Sequence, residues 1–188
     1  MSKTKVVITF YSRCGLTEKL AMATAVGAVQ ARALVRLRRV PDTGPTEIPP
    51  DCTEPYSRMQ REYIVPAESD ILWSDAVLFL PSPHCSPASD EWAPCLNLLG
   101  AMGMNGRLDG KVAAAFASPD TPDDWPAKIL QLGFTPLPPA PPEAAHAIDN
   151  EIQQSIIRGR QLAIAAQAFS SGAGTWNQAR SLLPDSHL

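Results

Sequence analysis

Apolar residues fall along this chain in two rhythms, one of strands and one of helices. Val6 to Tyr11 is a short β-branched and aromatic run, the pattern of a buried strand. Thr17 to Ala31 follows with Leu20, Ala23, Val26 and Gly27 at helical spacing and Glu18 in the first turn. Ala33 to Val40 sets Leu34, Val35 and Leu37 against Arg36, Arg38 and Arg39, which predicts a second strand with its arginines turned to solvent. Pro41 to Pro66 is a long polar connection with a helical turn around Tyr56 to Tyr63, and Ser69 to Ser74 is a short helical end. Ala76 to Leu80 is a third strand, apolar throughout. Ser89 to Met102 predicts a helix with Asp90 and Glu91 in its first turn, Lys111 to Ala117 a fourth strand, and Ala127 to Leu132 a short helix closed by Gly133. Phe134 to Leu137 is the fifth strand. Pro136 and Pro138 cannot donate to a ladder, so it belongs at a sheet edge. Glu143 to Phe169 is a long last helix with Ile152, Ile156, Leu162, Ala163 and Ala166 on one side.

Strands alternating with helices predict an α/β domain with a parallel sheet covered on both faces. Five strands suit the doubly wound order 2-1-3-4-5, in which ligands bind beyond the carboxyl ends of the strands, at the switch point between strands 1 and 3. The loops that reach that end begin at Ser12, Pro81 and Ser118. The domain is expected over residues 1–169, with 170–188 a loose tail rich in Ser, Gly and Asn.

Composition narrows the function classes. A net charge of -3 with only one basic cluster, at Arg36, Arg38 and Arg39, gives no nucleic-acid footprint. No apolar run approaches the roughly 20 residues a membrane span requires, and no signal peptide is visible, so the expected location is the cytoplasm. There Cys14, Cys52, Cys85 and Cys95, which form no CxxC pair, are expected as free thiols. Twelve of the 19 prolines lie between Pro81 and Pro142, which suggests rigid loops around an independently folding framework.

The segment Thr9 to Ala21, TFYSRCGLTEKLA, places hydroxyls and a glycine where the first strand turns into the first helix. A helix N-terminus offers free N–H groups and partial positive charge. Ser12 and Thr17 add hydroxyl donors, and Gly15 allows close backbone approach. With Arg13 the only charged side chain in the loop and no Walker lysine, one phosphate suits it better than a metal-bound triphosphate. A plain cap and turn explains the same residues. A phosphatase-type Cys14 nucleophile is disfavoured because Arg13 precedes it and no arginine closes the loop. His84, Cys85, Asp90 and Cys95 lack the paired spacing of a zinc site, so no metal is expected. Trp92 and Trp125 are read as core, with stacking on a ligand ring the rarer role.

Tyr11, Ser12, Gly15, Thr17 and Gly27 in VVITFYSRCGLTEKLAMATAVGA resemble the opening of the WrbA-type NAD(P)H:quinone oxidoreductases. SDAVLFLPSP, LDGKVAAAFAS and IIRGRQLAIAAQAF resemble the third strand, fourth strand and last helix of that family, in the same order. The resemblance implies a flavodoxin-like three-layer sandwich and FMN as cofactor. It implies a phosphate loop of Ser12, Arg13, Cys14, Gly15, Leu16 and Thr17. Pro81, Ser82, Pro83 and His84 would run along the flavin ring, with Ser118 and Thr121 on its other side. NAD(P)H would be the electron donor and a quinone the acceptor. The protein would be a homodimer or homotetramer, and no side chain need act as a nucleophile.

The chain also departs from that pattern. Pro83-His84-Cys85-Ser86 stands where the family has Arg, an aromatic, Gly and Asn, and Pro83 and Pro87 remove N–H donors. Ser118-Pro119-Asp120-Thr121-Pro122-Asp123-Asp124-Trp125 replaces a glycine-rich loop and brings three acidic residues. The alternative expectation is therefore a protein of the same fold that has lost flavin and serves as a non-catalytic binding or assembly subunit.

Overall fold

Val6, Val7 and Ile8 have no exposed surface, because their strand lies mid-sheet with helices over both faces. The computed structural model describes residues 3–43, 47–83, 85–116, 124–137 and 148–170. Its strands are β1 (Lys5–Phe10), β2 (Leu34–Arg39), β3 (Ala76–Leu80), β4 (Val112–Ala115) and β5 (Thr135–Pro136). All pair in parallel in the order β2-β1-β3-β4-β5, the order expected from the sequence. Pro136 sits in the edge strand β5, where its missing N–H costs least. Phe10 of β1 is level with Leu80 of β3, so their two outgoing loops start side by side.

The helices are α1 (Leu16–Gln30), α2 (Thr53–Glu62), α3 (Glu68–Trp73), α4 (Ala93–Met104), α5 (Trp125–Gln131) and α6 (Ile148–Ser170). Side chains of α1 and α6 close one face of the sheet around Ile8, Phe10, Leu78 and Leu162. Those of α3, α4 and α5 close the other around Val7, Phe79, Leu99 and Ile129. Under the loop that follows β3, Phe79 stacks on Trp125 at 5.6 Å and Trp92 meets Trp125 edge-on at 4.9 Å. Both tryptophans are core residues, as read from the sequence. Each such aromatic contributes on the order of 1.5–3 kcal/mol by leaving water.

Three expectations are corrected. Val26 of α1 is half exposed, while Ala21, Thr24 and Ala28 face inward with Gly27: the buried stripe is set by close packing on α6, which admits only small residues. The predicted start of α4 at Ser89 moves to Ala93, because Ser86 to Trp92 folds as successive turns closed by Ser89 and Ser86 hydroxyls. The arginines of β2 are not a solvated face. Arg36 and Arg38 both grip Asp70, Arg36 also covers Trp73, and Arg39 is buried. The last helix is described from Ile148, and its expected start at Glu143, like the tail beyond Ser170, lies outside the described residues.

At the α1–α6 crossing, a β-carbon on Gly27 would stand 1.8 Å from the Ile156 carbonyl oxygen, and one on Gly159 1.9 Å from that of Thr24. Both obstacles are backbone, which cannot rotate away. Alanine gains about 1 kcal/mol of helix propensity, yet the helices must separate to admit it. Gly27→Ala is therefore expected to lower stability by about 2 kcal/mol, read as a lower urea midpoint with an unchanged slope.

Candidate functional site

The loop between β1 and α1 is built from hydrogen bonds that leave its tip open to an anion. Tyr11 stays in register through its N–H to Leu80 O at 3.1 Å. Ser12 is buried; its Oγ accepts from Gly15 N at 3.1 Å, and its carbonyl accepts from Arg39 Nη2 at 3.0 Å. Gly15 adopts φ 89°, a left-handed conformation that glycine tolerates without a β-carbon clash, and forms the N-cap of α1. No side chain caps that helix. Its first N–H groups thus point into the loop with their partial positive charge.

Hydroxyls converge beside them. Ser82 Oγ donates to Tyr11 O at 2.7 Å and lies 3.3 Å from Thr17 Oγ1. Since the Ser82 proton is spent on Tyr11, Thr17 is the donor of that pair. Ser12, Thr17 and Ser82 therefore gather at the switch point between β1 and β3, where this topology places ligands. Ser12 and Thr17 are 2% and 3% exposed, so an anion reaching them would be largely desolvated. Charge-assisted bonds are strongest in such surroundings.

Arg13 does not aim at this cluster. Its guanidinium pairs with Asp42 at 3.2 Å and Glu91 at 3.3 Å, tying the first loop to the turns before α4. Asp42 is a hub: it accepts from the Tyr11 hydroxyl at 2.8 Å, the Tyr56 hydroxyl at 2.9 Å and Arg39 at 3.1 Å. Burial would raise its carboxyl, but these donors and the two arginines hold it below its ordinary value. Burial and then Asp42 raise Tyr11, which remains a protonated donor.

The loop is also not as neutral as its composition suggests. Glu18, buried in the first turn of α1, is 2.6 Å from Arg58 and accepts from Tyr63 at 2.7 Å. Burial pushes its carboxyl up, and these partners outweigh that and hold it down. Arg58 thus compensates this carboxylate. Cys14 and Cys52 are disulfide-bonded, which overturns the expectation of four free thiols and removes Cys14 as a nucleophile. Cys85 and Cys95 remain free, with burial raising both thiols, Cys95 to about 12.

The second loop brings Pro81 and Ser82 against the first, while Pro83 is exposed and Leu16 is 43% exposed. Cys85 N donates to Ser82 O at 3.0 Å, and Trp125 Nε1 holds the Cys85 carbonyl at 3.3 Å. An open groove of about 450 Å³ runs beside this loop between Pro87, Ala88, Asp124, Ala127, Lys128 and Gln131. His84, Ser118 and Thr121 lie outside the described residues. Among the described residues no cluster of metal ligands is present, and no helix is long and apolar enough to cross a membrane.

The structure brings together Ser12, Gly15, Thr17 and Ser82 of the residues singled out from the sequence, and adds Asp42, Arg39, Glu91 and Arg58 around them, which sequence reasoning did not place there. Arg39 ends β2 and Asp42 follows it, and that position at the carboxyl end of a strand is the signal that could have found them.

No protein-family model matches the chain. It is 34% identical over 117 residues to an NAD(P)H dehydrogenase (quinone) of Paraburkholderia phymatum, covering 62% of this chain and 57% of that one. It is 31% identical over 136 residues to an NAD(P)H dehydrogenase (quinone) of Archaeoglobus fulgidus, covering 71% of each. The chain thus spans little more than half the length of some of the curated relatives it matches. Among solved structures it is similar to a flavodoxin, WrbA-like protein from Agrobacterium tumefaciens, with a TM-score of 0.60 at 14% identity over 89% of this chain and 99% of that one. It is likewise similar to a flavodoxin from the domain Archaea, with a TM-score of 0.58 at 16% identity over 87% and 99%. At these identities the structures establish the fold, which is flavodoxin-like.

Proposed function

Because the chain belongs to the NAD(P)H dehydrogenase (quinone) family, we propose that it is an FMN-dependent oxidoreductase that passes electrons from NAD(P)H to a quinone-type acceptor. The observation that carries this reading is the convergence of Ser12, Thr17 and Ser82 on the uncapped N-terminus of α1. That donor set fits a phosphate monoester: hydroxyls and backbone N–H groups, Arg39 bracing the loop from behind, and Glu18 neutralised by Arg58. When bound, FMN supplies the ring that takes up and releases electrons.

The residues bind and orient. Ser12 holds the phosphate by its hydroxyl, and Thr17 does so by turning its proton from Ser82 to the phosphate. Gly15 admits it by lacking a side chain, and Cys14 and Leu16 contribute backbone. Arg13 joins the site as a brace: it fixes the first loop against Glu91 rather than meeting the phosphate. Pro81, Ser82, Pro83 and His84 are assigned to one side of the ring, Ser118 and Thr121 to the other. The groove along Pro87 and Lys128 offers room for the electron donor or acceptor. Met22, Val26 and Val29, all about half exposed along α1, form an apolar stripe suited to a homodimer or homotetramer.

The test is an absorbance spectrum after incubation with excess FMN and gel filtration, then addition of NADH or NADPH and of benzoquinone. Retained flavin bands that the nucleotide bleaches and the quinone restores support the proposal. A colourless protein sinks it. That result would favour a flavin-free binding subunit, for which Pro83, Pro87 and the Cys85 N–H already committed to Ser82 are the supporting features.

A further inference from the structure

The Cys14–Cys52 bond joins two pieces of chain 38 residues apart, one in the anion loop and one at the entry to α2. Cys14 is exposed and Cys52 is 6% exposed, so an attacking thiolate meets the Cys14 sulfur first. The segment beyond Cys52 lies directly on the loop. Pro55 is 3.7 Å from where a Gly15 β-carbon would stand, Arg58 and Tyr63 hold Glu18, and Tyr56 reaches Asp42. Every other tie between α2 and the loop is a packing or polar contact. The disulfide is the covalent tie on Cys14, immediately before Gly15, the residue whose left-handed conformation opens the helix N-terminus.

We propose that Cys14–Cys52 is a thiol–disulfide switch that sets the affinity of this loop for a phosphate group. The switch rests on the reading of the loop as the FMN phosphate site. With the bond intact, the loop is held in its binding conformation and little ordering remains for the ligand to drive. A dithiol reductant reverses this in two balanced steps. Its first thiolate attacks Cys14 Sγ, the Sγ–Sγ bond breaks, and Cys52 leaves with the electron pair and takes a proton. Its second thiolate then attacks the reductant sulfur of the mixed disulfide, and Cys14 is released and takes the second proton. Two electrons and two protons pass from the dithiol, which ends as a cyclic disulfide. The freed loop must then be ordered by each phosphate that binds.

The experiment compares the full chain before and after dithiothreitol, with thiols counted under denaturing conditions and the affinities of FMN and inorganic phosphate measured by calorimetry. The expected result is a rise from the two thiols of Cys85 and Cys95 to four, an unchanged far-UV circular dichroism spectrum, and about tenfold weaker binding of both probes. Cys52→Ser should behave like the reduced chain. Equal affinities in the two states overturn the switch. So do tighter binding on reduction, four thiols before any reductant, or loss of the fold on reduction, which would make the bond structural. If FMN binds neither state while inorganic phosphate still shows the tenfold change, the flavin reading fails and the switch stands.

Discussion

Asp42→Ala is expected to lower the stability of the folded chain by about 4 kcal/mol, because it strips a buried hub of its central carboxylate. Arg39 is 4% exposed and would keep its charge with no carboxylate in hydrogen-bond contact among the described residues, held by the Ser12 carbonyl and the face of Tyr56. The Tyr56 hydroxyl would lose its acceptor at the same time, and the Tyr11 hydroxyl would keep only its longer contact with Glu91 among the described residues. The effect also carries a pH signature. A carboxyl whose folded pKa is depressed stabilises the protein above its unfolded pKa, near 4, and that contribution fades as pH falls through the folded value. Thermal melts of the wild type should therefore lose stability steeply below about pH 4, and Asp42→Ala, lacking this carboxyl, should lose less over the same interval. Parallel acid limbs would show that Asp42 is not held in its charged form by this network.

The second large effect is on binding. Ser12→Ala with Thr17→Val removes two hydroxyls from the phosphate cluster while keeping the shape of each side chain nearly unchanged. Hydrogen bonds to a charged group are worth about 1.5–3 kcal/mol each, so the pair should weaken FMN binding on the order of a hundredfold. Folding should suffer much less, since the helix begins at Gly15 without a side-chain cap. The structural bonds lost are the 3.3 Å contact of Thr17 with Ser82 and the acceptor that Ser12 offers the Gly15 N–H, while the burial of both side chains is kept. Titration of flavin fluorescence against protein, alongside urea unfolding, separates the two. An unchanged affinity in the double variant would remove Ser12 and Thr17 from the site.

Much of the framework was legible because local physics dictated it. Ala76 to Leu80 is apolar at every position, which only a strand covered on both faces explains, and it lies at the middle of the sheet. Pro136 announced an edge strand by what it cannot donate. Ser12, Gly15 and Thr17 were visible because a strand-to-helix turn concentrates its chemistry within six residues. The misses arose from distance in sequence. Asp42 sits in a stretch that reads as a solvated connection, and nothing local tells that it meets Tyr11 and Arg13 some thirty residues earlier. Cys14 and Cys52 carry no pairing signal, since connectivity among four cysteines cannot be read from spacing. Val26 shares the helical spacing of Leu20 and Ala23 yet lies half exposed. The near-contact of Gly27 with Ile156 leaves no room for a large side chain on that face. The second loop differs for another reason: its serines close turns by side-chain bonds, and Trp125, some forty residues on, holds the Cys85 carbonyl from outside the loop.

The central claim is that the β1–α1 loop holds the phosphate of FMN. Calorimetric titration of the purified chain with FMN and, separately, with riboflavin, which has the same ring and no phosphate, tests it most directly. Saturable FMN binding is expected, with riboflavin binding weaker by about a hundredfold or more because a buried set of phosphate donors is left unmet. Equal affinities for the two flavins, or no binding of FMN, would contradict it.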